Sequence, residues 1–414
     1  MQAIVIGGGI AGLSSAYYLR ADGWDVTVLD RGDFSDNCSY GNAGYVCPSH
    51  FIPLATPGIV QQGLRWMWNS KSPFYVEPRF SRTLISWGLQ FMRSATPQHV
   101  ARAAVPLRDF GLFSKACYEE WAALPGFSFA YEQKGLMEYF QTPEKEAHSH
   151  HTAEKAHALG LRAEILSADA VQALEPQTPL RIKGALYFPD DAHLYPVKLM
   201  QVLQQQLRQK GVQLRGNHTV TGFTQQLQRV TEVQTNKGAL KADLVVLAAG
   251  AWSRQLAALL QQRLLLVPGR GYSVTYENAP HRLNIPTVLQ EGRVAITPMD
   301  GNKIRFGGTM EITSLQRPPR MKRVAGILEA VQRYFPEFKI PQPAPGQVWY
   351  GYRPCSADGL PYLGKIKQNV IVATGHAMIG LSLGAGTGKL VAELAGDRTP
   401  SIDVQPYNPN RFNH

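Results

Sequence analysis

The residues best placed to do chemistry stand near the start of the chain. Gly7-Gly8-Gly9-Ile10-Ala11-Gly12 holds the spacing Gly7-x-Gly9-x-x-Gly12, and Asp30 stands 18 residues beyond Gly12. In such a pattern Gly7 permits a tight turn and Gly9 lets a diphosphate approach the backbone. Gly12 lets a helix pack closely on a strand. Ile10 and Ala11 open that helix, whose free N–H groups and dipole stabilise an anion. Asp30 would accept bonds from a ribose 2′-hydroxyl, which disfavours a 2′-phosphate, and Arg31 beside it is set in the same contact. The chemistry is binding of a dinucleotide.

The motif has this meaning only where a strand precedes it and a helix follows. Residues 2–7 (QAIVIG) are continuously apolar and β-branched, as a strand buried on both faces requires. Residues 10–22 fit a helix that Gly23 stops, and 25–30 (DVTVLD) fit a second buried strand, completing a βαβ unit. Two later stretches have the same grain. Residues 242–250 (ADLVVLAAG) form a buried strand entering a glycine turn. Residues 369–375 (NVIVATG) form another, followed by a helix over 380–395. Gly388-Lys389 is no phosphate loop, since Leu383 stands where its first glycine would be and Leu390 replaces Ser/Thr.

Between these pieces the chain is mixed. Residues 45–80 are proline-rich and irregular, with at most one short helix. Residues 81–160 read as largely helical, interrupted at Pro97, Pro106 and Pro125, and a further helix starts at Pro196. Short strands follow over 212–238, residues 272–310 alternate like an antiparallel sheet, and 321–335 fit a helix. The fold class is α/β, with a Rossmann-type parallel sheet and an inserted α+β domain carrying a mixed or antiparallel sheet. The nucleotide domain is assigned to residues 1–50, 190–262 and 345–414, and the substrate domain to 51–189 and 263–344.

Composition narrows the classes. At 414 residues, 44% hydrophobic and 18% charged, the chain can build a large core, so wholesale disorder is excluded. Four separated cysteines without a CxxC pair argue against a zinc site or a disulfide scaffold. The apolar N-terminus lacks a basic flank and a cleavage site and reads as a strand rather than a leader. No run of about 18 apolar residues is present. A net charge of +11 favours anionic partners, but the basic residues are dispersed and no nucleic-acid motif is present. A cytoplasmic location is expected, with contact at the cytoplasmic membrane face as an option.

Taken in order, five features resemble the D-amino acid oxidase superfamily of flavoproteins, and within it the D-amino acid dehydrogenase branch. They are GGGIAG, Ser39-Tyr40-Gly41-Asn42-Ala43-Gly44, the Pro189–Pro196 segment, LAAGAWS, and GYRPCSADGLPYLG followed by GHAMIGLSLGAGTG. The resemblance spans nearly the whole chain. It implies non-covalent FAD and oxidation of an amine next to a carboxylate, by hydride transfer from Cα to flavin N5. Asn42, Ala43 and Gly44 would lie along the flavin. Val220, Ala249, Gly250 and Trp252 would flank the dinucleotide. Gly375, His376, Ile379, Gly380, Leu381 and Ser382 would face the pyrimidine edge, where a helix N-terminus stabilises charge on the reduced ring. His376 could assist there or merely bond backbone in its loop.

The same resemblance places Arg353 on the substrate carboxylate and at the flavin. A planar guanidinium suits that role because it holds a carboxylate by two parallel bonds. Tyr272 is a second candidate contact, with Tyr350, Tyr352 and His50 behind it. No Ser/His/Asp or Cys/His arrangement is evident, and the cofactor would carry the hard step. D-proline or a hydroxy-D-proline is one substrate option, through the SYGNAGYVCPSHFIPLATPG segment. Electrons would pass to a quinone, and Trp66-Met67-Trp68 with Arg65, Lys71, Phe74 and Tyr75 read first as a helix covering the substrate domain and alternatively as a contact with a membrane interface. Two alternatives stay open, an oxygen-using oxidase of the glycine or sarcosine oxidase type and a non-catalytic dinucleotide-binding subunit.

Overall fold

The first βαβ unit forms where the apolar run predicts it. β1 (Gln2–Ile6), α1 (Ile10–Ala21) and β2 (Asp25–Leu29) follow one another, and β1 pairs with β2 in parallel. The computed structural model describes residues 1–59, 61, 71–338 and 340–412. Trp66-Met67-Trp68 and Arg65 lie outside the described residues.

β1 sits inside a six-stranded sheet of order Tyr362–Lys367, Val370–Thr374, Leu244–Leu247, β1, β2, Gln213–Arg215. Five strands run parallel, and Tyr362–Lys367 closes one edge antiparallel to Val370–Thr374. The residues of Leu244–Leu247 and Val370–Thr374 are buried throughout, so both faces are covered and the strands read as unbroken apolar runs. A three-stranded antiparallel sheet, Val220–Lys241, leads into Leu244–Leu247.

A second, nine-stranded sheet lies beside the first. Its main path runs Val348–Ser356, Leu266–Tyr276, Ile304–Ile312, Val294–Pro298, Thr287–Leu289, Leu136–Phe140, Gly184–Phe188, Glu164–Ser167, with Phe74–Val76 added to Ile304–Ile312. It is mixed, as expected, since Thr287–Leu289 runs parallel to Leu136–Phe140 while the longest pairings are antiparallel.

Two readings of the sequence need correction. Residues 136–140 are a strand, not part of a helical stretch. Pro106 does not interrupt the helix Pro97–Ala122. Buried Ala103, Leu107, Phe110, Gly111 and Ser114 fix both sides of the proline to the core, which outweighs a cost of about 3 kcal/mol. Val348–Ser356 pairs along its whole length with Leu266–Tyr276 within the larger sheet. The helix Pro97–Ala122 packs on Gly384–Ala395, the helix that follows Val370–Thr374 of the parallel sheet, and Ser114 Oγ accepts from Gly386 N at 3.1 Å. Long-range pairing, not proximity along the chain, decides both cases.

Candidate active site

A cavity of about 1710 Å³ opens between the two sheets, and nearly all the expected residues face it. Gly7, Gly9, Ile10 and Ala11 line one end. A Cβ on Gly12 would stand 1.9 Å from Gly7 O, and one on Gly7 would stand 2.4 Å from Ala248 O. Gly7 also has φ +115°, which favours glycine. Gly12 is therefore off the cavity wall and acts by letting α1 press on the turn. Ser39 Oγ accepts from Ile10 N, while no protein acceptor meets the N–H groups of Gly9 and Ala11 among the described residues. The turn thus fits a diphosphate: close backbone, free donors and a helix N-terminus.

Asp30 ends β2 beside this turn. Its carboxylate accepts from Gly8 N at 2.6 Å and Gly32 N at 2.7 Å. Each oxygen keeps acceptor capacity for a ribose hydroxyl. Arg31 places its guanidinium 3.6 Å from the centre of the Trp252 ring, clasping the end of β2 to the turn after Leu244–Leu247. Val220, Ala249 and Gly250 complete that wall.

Asn42 and Ala43 line the middle of the cavity. Gly44 does not; its φ of +88° turns the chain against Leu194 O, 2.2 Å from where a Cβ would be. The loop is held from the larger sheet. Arg305 Nη1 donates to Tyr40 O at 2.8 Å and Asn42 O at 2.6 Å, while Nε donates to Thr275 Oγ1 at 2.9 Å. Burial lowers this guanidinium to about 10, still charged at neutral pH.

His376, Ile379, Gly380, Leu381 and Ser382 form the opposite wall, and Gly375, with φ +83°, turns the chain into it from outside the cavity. Tyr118 Oη donates to Leu381 O at 2.5 Å and Ser114 Oγ to Ser382 O at 2.7 Å. With those carbonyls drawn into the helix behind, the N–H groups of Gly380, Leu381 and Ser382 have no protein acceptor among the described residues. Free donors ahead of the Gly384–Ala395 helix suit an electron-rich ring edge.

His376 does not add positive charge there. Burial lowers its imidazole to about 4. Thr387 Oγ1 already donates to Leu383 O at 2.7 Å, so His376 Nε2 must carry the proton in its 3.0 Å bond to Thr387 Oγ1. The residue is a neutral loop brace.

Arg353 lies over the larger sheet. Nη1 donates to Thr309 O at 2.6 Å, and no Asp or Glu pairs with it among the described residues. It is therefore no ordinary ion pair, and its other donors remain for a ligand. A register shift between Arg270 and Tyr272 bulges the pairing opposite Thr309, whose φ of +67° turns its carbonyl to the guanidinium. On the same sheet face Gly271 lies beneath Arg353, and Gly307 and Ala295 are small cross-strand partners further along.

Tyr272 pairs with Tyr350 across the same two strands. Its ring reaches the cavity, but its hydroxyl donates to Glu311 Oε2 at 2.7 Å and accepts from Arg320 N at 2.8 Å. Glu311 also binds Arg270 and Arg323, all three being almost wholly buried. The hydroxyl is spent in a structural network. Tyr350 and Tyr352 line the cavity, Tyr352 Oη donating to Leu315 O at 3.1 Å. His50 also lines it, stacked on Tyr45 and lowered to about 4 by burial.

Arg305, Gly271 and Thr309 were not expected. Arg305 could have been suspected as a charge within the apolar alternation of Ile304–Ile312. The other two depend on strand register, which leaves no local signal.

The model of the DAO family, FAD dependent oxidoreductase, matches residues 2–394. A D-amino acid dehydrogenase of Chromohalobacter salexigens is 31% identical over 427 residues, covering 100% of both chains. One of Neisseria meningitidis is also 31% identical with full coverage of both. Among solved structures, glycine oxidase from Geobacillus kaustophilus superposes with a TM-score of 0.78 at 23% identity, over 99% of this chain and 98% of that one. L-proline dehydrogenase from P. horikoshii gives 0.74 at 19% identity, over 100% and 97%.

Proposed function

The chain belongs to the DAO family of FAD-dependent oxidoreductases, and on that premise we propose that it dehydrogenates a D-amino acid to an imine, which water converts to the 2-oxo acid. A cyclic secondary amine such as D-proline or hydroxy-D-proline fits the same reading and would stop at the cyclic imine. The observation that carries it is Arg353: a desolvated guanidinium facing the cavity, with no acidic partner among the described residues and its remaining donors unspent. Full-length relatives named D-amino acid dehydrogenase support the choice of substrate.

In this reading Gly7, Gly9, Ile10 and Ala11 hold the diphosphate and Asp30 the adenosine ribose. Arg31 and Trp252 close that end, and Asn42 and Ala43 bed the ring. Gly380, Leu381 and Ser382 offer it their N–H groups. FAD bound there supplies the two-electron acceptor. Arg353 binds the carboxylate and sets the substrate's Cα toward the ring, and Thr309 O fixes the guanidinium while it does so. The parallel-sheet layer is the nucleotide domain and the nine-stranded sheet the substrate domain. Attachment is non-covalent; Cys355 is fully buried and burial pushes its thiol up to about 12, so it is no nucleophile.

Electrons leave to a membrane-dissolved quinone, with the protein at the cytoplasmic face. Four free cysteines fit a reducing compartment, and the charge of +11 fits an anionic surface. The test is turnover of D-amino acids in air with and without a quinone analogue. Rapid reduction of the analogue with no stoichiometric peroxide is expected; peroxide formed one for one with the 2-oxo acid would favour the oxygen-using oxidase instead.

A further inference from the structure

The helix Arg82–Ser94 is apolar on both sides. Its inner face, Trp87 and Phe91, packs under the larger sheet, and Trp87 Nε1 donates to Cys355 O at 3.0 Å. A surface helix with a buried apolar stripe ordinarily turns polar residues to water. Here Ile85, Leu89 and Met92, at helical spacing and opposite Trp87 and Phe91, are 54%, 49% and 50% exposed, and Phe80 just before the helix is fully exposed. A contiguous exposed stripe of this kind marks an interaction site.

The charge around it is one-sided. Between Pro78 and Arg108 the sequence holds no Asp or Glu. Arg82 and Arg93 border the stripe, both exposed and with no acidic partner among the described residues. Arg93 also lines a groove of about 460 Å³ with Gln90, His99 and Arg102, beside the salt bridge of Arg411 to Asp358. An apolar stripe with arginines along its border fits a bilayer interface: the side chains enter the acyl boundary and the guanidinium groups meet headgroup phosphates.

We propose that this outer face is a docking surface for an anionic lipid bilayer. The proposal rests on the reading that electrons leave to a membrane-dissolved acceptor, and it names where the membrane lies. Leu54, Ile59, Phe74 and Met310 line the cavity and pack in the same apolar cluster as Trp87 and Phe91. Docked through its outer face, the helix lies between the bilayer and this apolar end of the cavity, which brings that end nearest to an acceptor dissolved in lipid.

The test uses the FAD-loaded protein and vesicles of phosphatidylcholine alone or mixed with phosphatidylglycerol. Co-sedimentation with the mixed vesicles is expected, weakened by salt and at least about tenfold weaker on phosphatidylcholine alone. The double variant Ile85→Gln/Leu89→Gln and, separately, Arg82→Gln/Arg93→Gln should each lose that binding at least about tenfold while keeping flavin absorbance and dye-reducing turnover. The arginine pair changes no buried side chain, so it decides the matter even if the first variant fails to fold. No binding by the parent protein, equal binding to both vesicle types, or parent-like binding by the arginine variant would overturn the proposal. So would a concentration-dependent dimer that the substitutions dissociate, with no vesicle binding, since a second copy would then be the occupant. A parent protein that turns over D-amino acids yet ignores vesicles refutes the docking surface and leaves the proposed reaction standing.

Discussion

The guanidinium of Arg353 occupies the space in which a side chain at Gly271 would begin: a Cβ there would stand 2.2 Å from Nη2 and 2.3 Å from Cζ and Nη1. The two residues sit on paired strands, with Gly271 opposite Gly351, two residues before Arg353. The glycine is what lets the guanidinium lie flat on the sheet and still reach Thr309 O.

Substituting either residue should therefore damage the same function. Arg353→Ala should raise KM strongly with the flavin still bound, costing about 2–5 kcal/mol in kcat/KM because a buried carboxylate is left unpaired. Gly271→Ala should also raise KM by displacing the guanidinium. The pair should be non-additive, with the double variant no worse than Arg353→Ala alone. Additive losses in steady-state kinetics would place the two residues in separate roles.

Gly12→Ala tests the dinucleotide turn. The added methyl meets the Gly7 carbonyl, backbone that cannot swing aside. Loss of the yellow colour is expected, with about 1–3 kcal/mol of destabilisation measured by chemical unfolding. Retention of FAD at the parent affinity would contradict the close packing described here.

The neutral state of His376 is open to direct test. His376→Gln keeps a donor for Thr387 and should leave the pH profile of kcat/KM unmoved. Thr387→Val strands the buried Nε2–H and should cost about 1–3 kcal/mol of stability. A lost acidic limb in the glutamine variant would mean that the imidazole titrates during turnover.

A stability prediction follows from Asp191, which is 2% exposed, bonded to Ser49 and raised by burial to about 7. Between about pH 4 and 7 the unfolded chain ionises this carboxyl while the folded chain keeps its proton, so the residue destabilises the fold as pH rises through that window. His50, His193 and His376, each lowered to about 4, act in the opposite sense, losing stability as pH falls below about 6.5. The comparison Asp191→Asn against the parent isolates the carboxyl. The variant's advantage in unfolding free energy should grow from nothing near pH 4 to at most about 4 kcal/mol above pH 7. A gap that stays constant with pH would show that Asp191 is ionised in the fold.

The parallel-sheet half was legible because its physics is local. The Gly7–Gly12 turn, the apolar runs on either side and Asp30 at the end of β2 all lie within 30 residues. On the nine-stranded sheet the candidate side chains that face the cavity could be named from the sequence, Arg353 among them, but not what holds them. The supports come from other strands: Gly271 from Leu266–Tyr276, the Thr309 carbonyl from a bulge, and Arg305 reaching across to the Tyr40–Asn42 loop. The partners of the Tyr272 hydroxyl were hidden for the same reason, since Glu311 and Arg320 reach it only through the fold.

The central claim is that one cavity holds FAD and a D-amino acid in reacting contact. Anaerobic titration of the FAD-loaded protein with D- and L-amino acids, followed by visible absorbance, tests it without any choice of acceptor. Bleaching of the oxidised flavin bands by D-amino acids, and its loss at the same concentrations in Arg353→Ala, is the predicted result. A spectrum untouched by any D-amino acid, or bleached only by the L series, would contradict it.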